Sequence, residues 1–231
     1  MTGDNNTANC TNCEHFSRCF QHLFPDELEF ITDKKVQLTY LAGETLFKQG
    51  AFAPYVLFVI EGVVKVYIQT GSNKQMNIKL AAEGDYLAFS SVFDENIYNY
   101  SAVALKDSTV CMIDKTALRK LFLSNSEFAM NITSRNCRNE AWLLDMLKNI
   151  SYKQMRGKLA SALIYLSSEK FLTQDIFLYL TRKDIADFAS ITTESTIRFI
   201  KEFEKEGVLK LEGKSIAITD RRALDEISRN G

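Results

Sequence analysis

Between Ser124 and Asn149 the chain contains neither glycine nor proline. A run of that length reads as one long helix, because the two residues that most disfavour helix interiors are missing from it. Within it and just beyond, Ile132, Asn136, Asn139, Leu143, Met146 and Ile150 recur at alternating steps of four and three. That spacing is a heptad seam. Such a helix either packs on its own domain or pairs with a second copy of the chain. Asparagines at seam positions lower stability while fixing register, which suits a marginal homodimer. Ile132, Leu143, Met146 and Ile150 are the expected apolar contacts of that dimer.

The chain differs on either side of this helix. From Val36 to about Ile113 it reads as short strands. Val36-Gln37-Leu38-Thr39-Tyr40-Leu41 alternates apolar and polar residues, Val56 to Ile60 is continuously apolar, and Gly43, Gly50, Gly62, Gly71 and Gly84 fall between such runs. Short strands with glycines at the turns predict a β-roll or jelly-roll barrel. Pro25 to Thr32 is a short helix with proline in its first turn. After the long helix, Gln154 to Ser168 forms another. Thr181 and Asp184 make a capping box, with aspartate in place of the usual glutamate, ahead of a short helix with Ile185, Phe188 and Ala189 on one face. Thr192 caps a second helix, in which Thr196, Phe199, Ile200 and Phe203 point inward. This pair is a helix-turn-helix, and Lys210 to Ile218 adds a β-hairpin, completing a winged helix. The expected fold is therefore α+β. Its parts are a cysteine-rich tail (1–24), a β-roll (25–123), a dimerisation helix (124–150) and a winged helix-turn-helix (151–231).

Composition narrows the function. The 231 residues are 46% hydrophobic and 25% charged, with a formal net charge of −1, so the chain as a whole is not a basic nucleic-acid binder. From Ser151 onward, 14 Lys and Arg against 12 Asp and Glu leave +2; the first 150 residues carry the remaining 14 and 17, or −3. That asymmetry permits a DNA-binding C-terminal half. No signal-like start and no apolar run of about 18 residues is present, so the expectation is a cytoplasmic protein without a membrane partner. In that compartment thiols stay reduced. An enzyme is not expected. No histidine follows His22, as a cupin-type metal site would need, and no phosphate-binding glycine loop or Ser–His–Asp set can be assembled.

Thiols carry the sharpest functional signal. Three occur as Cys10-x2-Cys13-x5-Cys19, and Cys111 lies far along the chain in the β-roll. Four thiolates suit a 4Fe–4S cluster or a tetrahedral zinc equally well. Either would tie the tail to the barrel at Cys111. Taken alone, Cys111 is a buried strand residue, a common fate for cysteine. Cys137, on the long helix, matches no ligand position.

The order of glycine-punctuated β-roll, seam helix and winged helix resembles the CRP/FNR family of bacterial transcription regulators, with their cyclic-nucleotide-binding-like jelly roll. Thr181-Arg182-Lys183-Asp184-Ile185, Glu194-x3-Arg198 and Phe203-Glu204-Lys205-Glu206-Gly207-Val208-Leu209 resemble the family's DNA-reading unit and its lead into the wing. The cysteine spacing, and the strand context Ala104 to Cys111, resemble the fumarate and nitrate reductase regulator branch. That resemblance implies an oxygen-labile 4Fe–4S cluster on Cys10, Cys13, Cys19 and Cys111 that responds to oxygen or nitric oxide and stabilises a DNA-binding homodimer. It also implies RNA polymerase as a partner. Glu194 would accept from a cytosine amino group and Arg198 donate to guanine, with Thr193 and Ile197 also at base edges. Thr181, Lys183, Thr192, Ser195 and Lys214 would contact phosphates of double-stranded DNA. The expected target is a palindrome with TGA in each half-site. Two positions depart from the pattern: Ser190 replaces the usual turn glycine, and Ile197 stands where the branch places a base-reading serine. The family's cyclic-nucleotide receptors use an arginine for the phosphate, where this chain has Tyr100 before Ser101; a phenol supplies neither the charge nor the two-pronged donor.

Overall fold

The computed structural model describes residues 20–71, 74–93 and 96–231, with the backbone alone at 138–142. The chain divides into two compact units. One comprises Met1–Gln69 and Leu80–Glu140, the other Thr70–Lys79 and Ala141–Gly231. Cys10, Cys13 and Cys19 lie outside the described residues.

The first unit is the expected β-roll. The strands of the roll are β1 (Lys35–Tyr40), β2 (Thr45–Phe47), β3 (Tyr55–Glu61), β4 (Val63–Gln69), β5 (Gln75–Ala82), β6 (Tyr86–Leu87), β7 (Ser101–Ala104) and β8 (Ser108–Asp114); residues 75–79 of β5 are grouped with the second unit. They form two four-stranded sheets, in the orders β1-β8-β3-β6 and β2-β7-β4-β5. The continuous apolar run of β3 has a simple cause. Val56, Phe58 and Ile60 belong to a core cluster beneath the helices, while Leu57 and Val59 are buried on the opposite face. A strand covered on both sides cannot alternate with polar residues. The β3–β4 connection needs glycine at position 62. Its φ is +95°, and a Cβ there would run into Ser108 and the Asp107 carbonyl.

The β1-β8-β3-β6 sheet is covered by α1 (Pro25–Thr32), α2 (Lys115–Ser124) and the first turns of the long α3 (Ser126–Tyr152), whose residues from Ala141 on are grouped with the second unit. The break between α2 and α3 falls at Asn125, whose side-chain oxygen accepts from the Phe128 amide at 2.9 Å and so caps α3. Its Nδ2 reaches back to the His22 carbonyl at 2.9 Å and to Glu27 Oε2 at 2.7 Å. The His22 ring lies 2.9 Å from Glu127, one residue into α3. Residues 22–27 are thus fastened directly to the start of the long helix.

In the second unit α4 (Met155–Leu166), a short α5 (Glu169–Leu172), α6 (Arg182–Ala189) and α7 (Thr193–Lys205) lead to the wing strands β9 (Leu209–Glu212) and β10 (Ser215–Ile218), and α8 (Arg221–Asn230) closes the chain. The capping box forms as the sequence predicts. Thr181 Oγ1 accepts from the Asp184 amide at 3.0 Å, and the Asp184 carboxylate accepts from the Thr181 amide at 2.9 Å. Ile185, Phe188, Ala189, Thr196, Ile200 and Phe203 are buried. Phe199, expected inside, is only half-buried and lies under the Arg198 guanidinium, 4.6 Å from it.

The turn between α6 and α7 is strained. Ser190 takes φ +52°, ψ +44°, the left-handed conformation that glycine adopts freely. This conformation costs a residue with a Cβ roughly 1–2 kcal/mol. Ser190→Gly removes that cost but loosens the unfolded chain by about 0.4–1 kcal/mol. The expected net change is a stabilisation of about 0.5–1 kcal/mol, read as a higher urea midpoint by circular dichroism. A lower midpoint would contradict the strain argument.

Candidate nucleic-acid interface and sensory wall

The N-terminus of α7 is built to stand proud of its unit. Thr192 closes it, its Oγ1 accepting from the Ser195 amide at 3.1 Å and donating to Ser195 Oγ at the same distance. Thr196 and Ile200 turn inward, which turns Glu194, Ile197 and Arg198 outward. Glu194 is exposed and has no ionic partner among the described residues. Arg198 does not pair with it. Its Nε lies 3.8 Å from Glu202 Oε1, one turn further on, in an exposed contact that water screens. Arg198 can therefore leave Glu202 for a base edge at little cost. Ile197 is 40% exposed, an apolar surface suited to a thymine methyl.

The expected phosphate contacts separate into two groups. Thr181 and Lys214 line one cleft of about 320 Å³ between the start of α6 and the wing turn. Arg182 lies there too, its guanidinium pushed below its ordinary value by burial. An anion in the cleft would reverse that penalty. Arg182 had no assigned role in the sequence; its place directly after the cap residue Thr181 was the available signal. Lys183 points elsewhere, with its Nζ 2.8 Å from Asp187 Oδ2. Thr192 and Ser195 bond to each other at the α7 terminus.

In the first unit Cys111 lies in the middle of β8, between Gln37 of β1 and Phe58 of β3. It is 2% exposed and belongs to the same apolar cluster as Phe20, Phe58, Tyr86, Phe128 and Ile132. Its side is therefore the sheet face beneath the helices. Phe20, the residue after Cys19, is buried in that cluster as well. No group of three or more metal-ligating side chains occurs among the described residues.

At the positions of the nucleotide-type site, Tyr100 and Asp85 are engaged in bonds within the barrel. The Tyr100 hydroxyl accepts from the Ala88 amide at 2.6 Å, and burial pushes this phenol up to about 12. Phe47 packs beside it, stacked on Tyr98 at 4.1 Å between ring centres. Asp85 accepts from the Ala82 amide at 2.8 Å, which closes its own turn.

The seam needs a correction. Ile132 is 1% exposed and packs in the β-roll core, so it has no surface to offer a partner. Met146 and Ile150 are half-buried against their own unit, and Leu143 is 39% exposed. Of the expected seam residues only Ile132 is fully buried, and a second apolar stripe runs along the exposed side of α3. The outer stripe holds Met130 and Leu144, each 67% exposed, Leu147 at 56%, and exposed Cys137. These residues are spaced by seven, seven and three, as one side of a coiled coil is.

Comparison with known proteins agrees with this architecture. Residues 37–125 match the family described as cyclic nucleotide-binding domain, and residues 157–227 match the Crp-like helix-turn-helix domain. The chain belongs to the CRP/FNR family of transcription regulators. Among its relatives, the fumarate and nitrate reduction regulatory protein of Escherichia coli (strain K12) is 27% identical over 211 residues, covering 88% of this chain and 82% of that protein. The CRP-like cAMP-activated global transcriptional regulator of Mycobacterium tuberculosis (strain CDC 1551 / Oshkosh) is 22% identical over 215 residues, covering 91% and 96%. The structure of FixK2 from Bradyrhizobium japonicum superposes with a TM-score of 0.72 at 18% identity, covering 84% of this chain and 96% of that one; it supports the fold. This CRP/FNR regulator is thus a DNA-binding protein of a non-enzymatic family. Among the described residues no helix is long and apolar enough to cross a membrane.

Base reading and phosphate binding separate experimentally. Arg198→Ala should cost about 1–3 kcal/mol on target DNA and relax one base position. Arg182→Gln should weaken target and scrambled DNA alike and lower the salt slope by about one. Fluorescence anisotropy over a salt series measures both. Unchanged discrimination by Arg198→Ala would remove that residue from base reading.

Proposed function

We propose that this regulator senses oxygen or nitric oxide through a 4Fe–4S cluster held by Cys10, Cys13, Cys19 and Cys111, and that the cluster controls homodimerisation on a palindromic DNA site. The observation that carries this reading is the position of Cys111. It sits in the wall that receives Phe20, one residue beyond the N-terminal thiol triplet. An apolar wall fits a cluster, since removing water from the sulfurs slows its loss and tunes its potential. When bound, the cluster supplies a redox-labile link between tail and barrel.

The chain's own residues carry the rest. Phe20 fills the core beside the sheet that holds Cys111, while the His22 carbonyl and Glu27 are held by the Asn125 side chain that caps α3. Tension or release in the tail therefore arrives at the start of the dimer helix within a few residues. A second link runs from the wall. Phe58 lies opposite Cys111 and packs on Tyr86 at 4.9 Å; Arg135 of α3 lies over the Tyr86 ring and donates to the Gly84 carbonyl at 2.6 Å. The two states need differ in dimer affinity by only a few kcal/mol to act as a switch. In the dimer the two recognition helices are spaced by about 34 Å, one turn of DNA, and RNA polymerase is the partner the family resemblance implies. Tyr100 speaks against the cyclic-nucleotide reading, because its hydroxyl already satisfies the Ala88 amide and brings no positive charge.

Anaerobically purified protein is expected to be brown with about four irons and matching sulfide. Cys111→Ala should lose both and Cys137→Ala neither. Colourless protein with one zinc would replace the cluster by a zinc site. In a parallel seam along the outer stripe, Cys137 would face its own copy. A short bis-maleimide, applied without oxygen, should join two chains through Cys137 in the cluster-loaded protein and fail in Cys137→Ser. If the loaded protein is a dimer in solution and yields no Cys137 cross-link, the Met130–Cys137–Leu144–Leu147 register is wrong.

A further inference from the structure

The second unit contains a hollow of about 480 Å³ between the last turns of α3, helix α4 and helix α8. Its charge is one-sided. Lys148, Lys153, Lys158, Arg221 and Arg229 line it, against the single carboxylate of Asp145. Arg221 is already engaged, with its Nε 3.3 Å from Asp225 and its Nη1 donating to Ser167. Lys148, Lys158 and Arg229 have no ion pair among the described residues. Lys153 is held inside by hydroxyls alone: its Nζ donates to Ser161 Oγ and to Ser228 Oγ, each at 2.8 Å. Burial pushes its pKa down; Asp145 offsets part of this and Lys148 adds to it.

This arrangement costs free energy in the empty protein. A part-buried ammonium whose hydrogen-bond partners are neutral hydroxyls, beside other cations, is stabilised by an anion that enters. The donors suit phosphoryl oxygens, which accept from ammonium, guanidinium and hydroxyl groups together. Ile164, Tyr165 and Phe188 also line the hollow. Apolar and aromatic surface of that kind serves an organic body rather than inorganic phosphate alone. The volume lies within the roughly 300–1,000 Å³ of small-ligand sites.

We propose that this cavity binds a small organic phosphate, with Lys153, Lys158 and Arg229 on its phosphoryl oxygens and Tyr165 and Phe188 against its organic part. The site is separate from the DNA-phosphate cleft of Thr181, Arg182 and Lys214, and from the β-roll. It joins the end of the seam helix to the first helix after it and to the C-terminal helix. Occupancy would stiffen that junction, making the site an input independent of the thiols.

Calorimetry on the full chain, with adenosine 5′-diphosphate and inorganic pyrophosphate as probes at about 0.15 M ionic strength, tests this. Saturable binding with one site per chain is expected, tighter for the nucleotide than for pyrophosphate. Lys153→Met should weaken it by about tenfold or more, the loss of a charged hydrogen bond. Lys158→Gln, a change at the rim, should weaken it in the same direction and guards against misfolding of the first variant. Lys214→Met should leave it unchanged. Absence of saturable binding at millimolar probe overturns the proposal. Loss of binding in Lys214→Met with retention in Lys153→Met also overturns it, because the probe would then be sitting in the DNA-phosphate cleft.

Discussion

The first unit depends on one buried face. The β1-β8-β3-β6 sheet is covered on its outer side by α1, α2 and the first turns of α3, and the apolar cluster between them contains Phe58, Ile113, Leu118, Phe128 and Ile132. Each such side chain contributes about 1.5–3 kcal/mol when fully removed from water. Phe128 and Ile132 therefore fix where the long helix leaves the β-roll. Cys111 sits in the same layer, so a change at its sulfur acts on packing that also holds the start of α3.

The DNA-reading unit follows a different economy. Its helix ends are set by polar closures: Thr181 with Asp184 before α6, and Thr192 with Ser195 before α7. These closures leave the outer face of α7 without structural duties. Glu194 and Arg198 project from it because Thr196, Ile200 and Phe203 are taken by the core. The strained Ser190 between the helices is the exception, a local cost that the surrounding packing absorbs.

Much of this was legible in the sequence. The glycine-punctuated strands, the capping box and the inward set Thr196, Ile200 and Phe203 follow from local rules of turn chemistry and periodicity, which operate over a few residues. The outward set on α7 then follows by subtraction. Ile132 was not legible in the same way. Its heptad spacing is real, but a period says only that residues share a face and not what that face meets. The β-roll core takes Ile132, and the outer stripe of Met130, Cys137, Leu144 and Leu147 was hidden by its interruption with polar residues. Arg182 was missed because the cleft that gives it a role is closed by Lys214, more than thirty residues away in the chain.

By itself the sequence determined the kind of elements, their order, the caps that end them and the four thiols at ligand-like spacing, since each rests on chemistry between near neighbours. Tertiary structure alone decided which side of each element is covered. It placed Cys111 under the helices in the same apolar cluster as Phe20, gave the Ala88 amide to Tyr100, and turned Ile132 of α3 inward and Met130 and Leu144 out. It also gathered lysines and arginines from three separate helices around one hollow. These outcomes depend on which surfaces exclude water together, and that is a property of the packed chain rather than of any stretch of it.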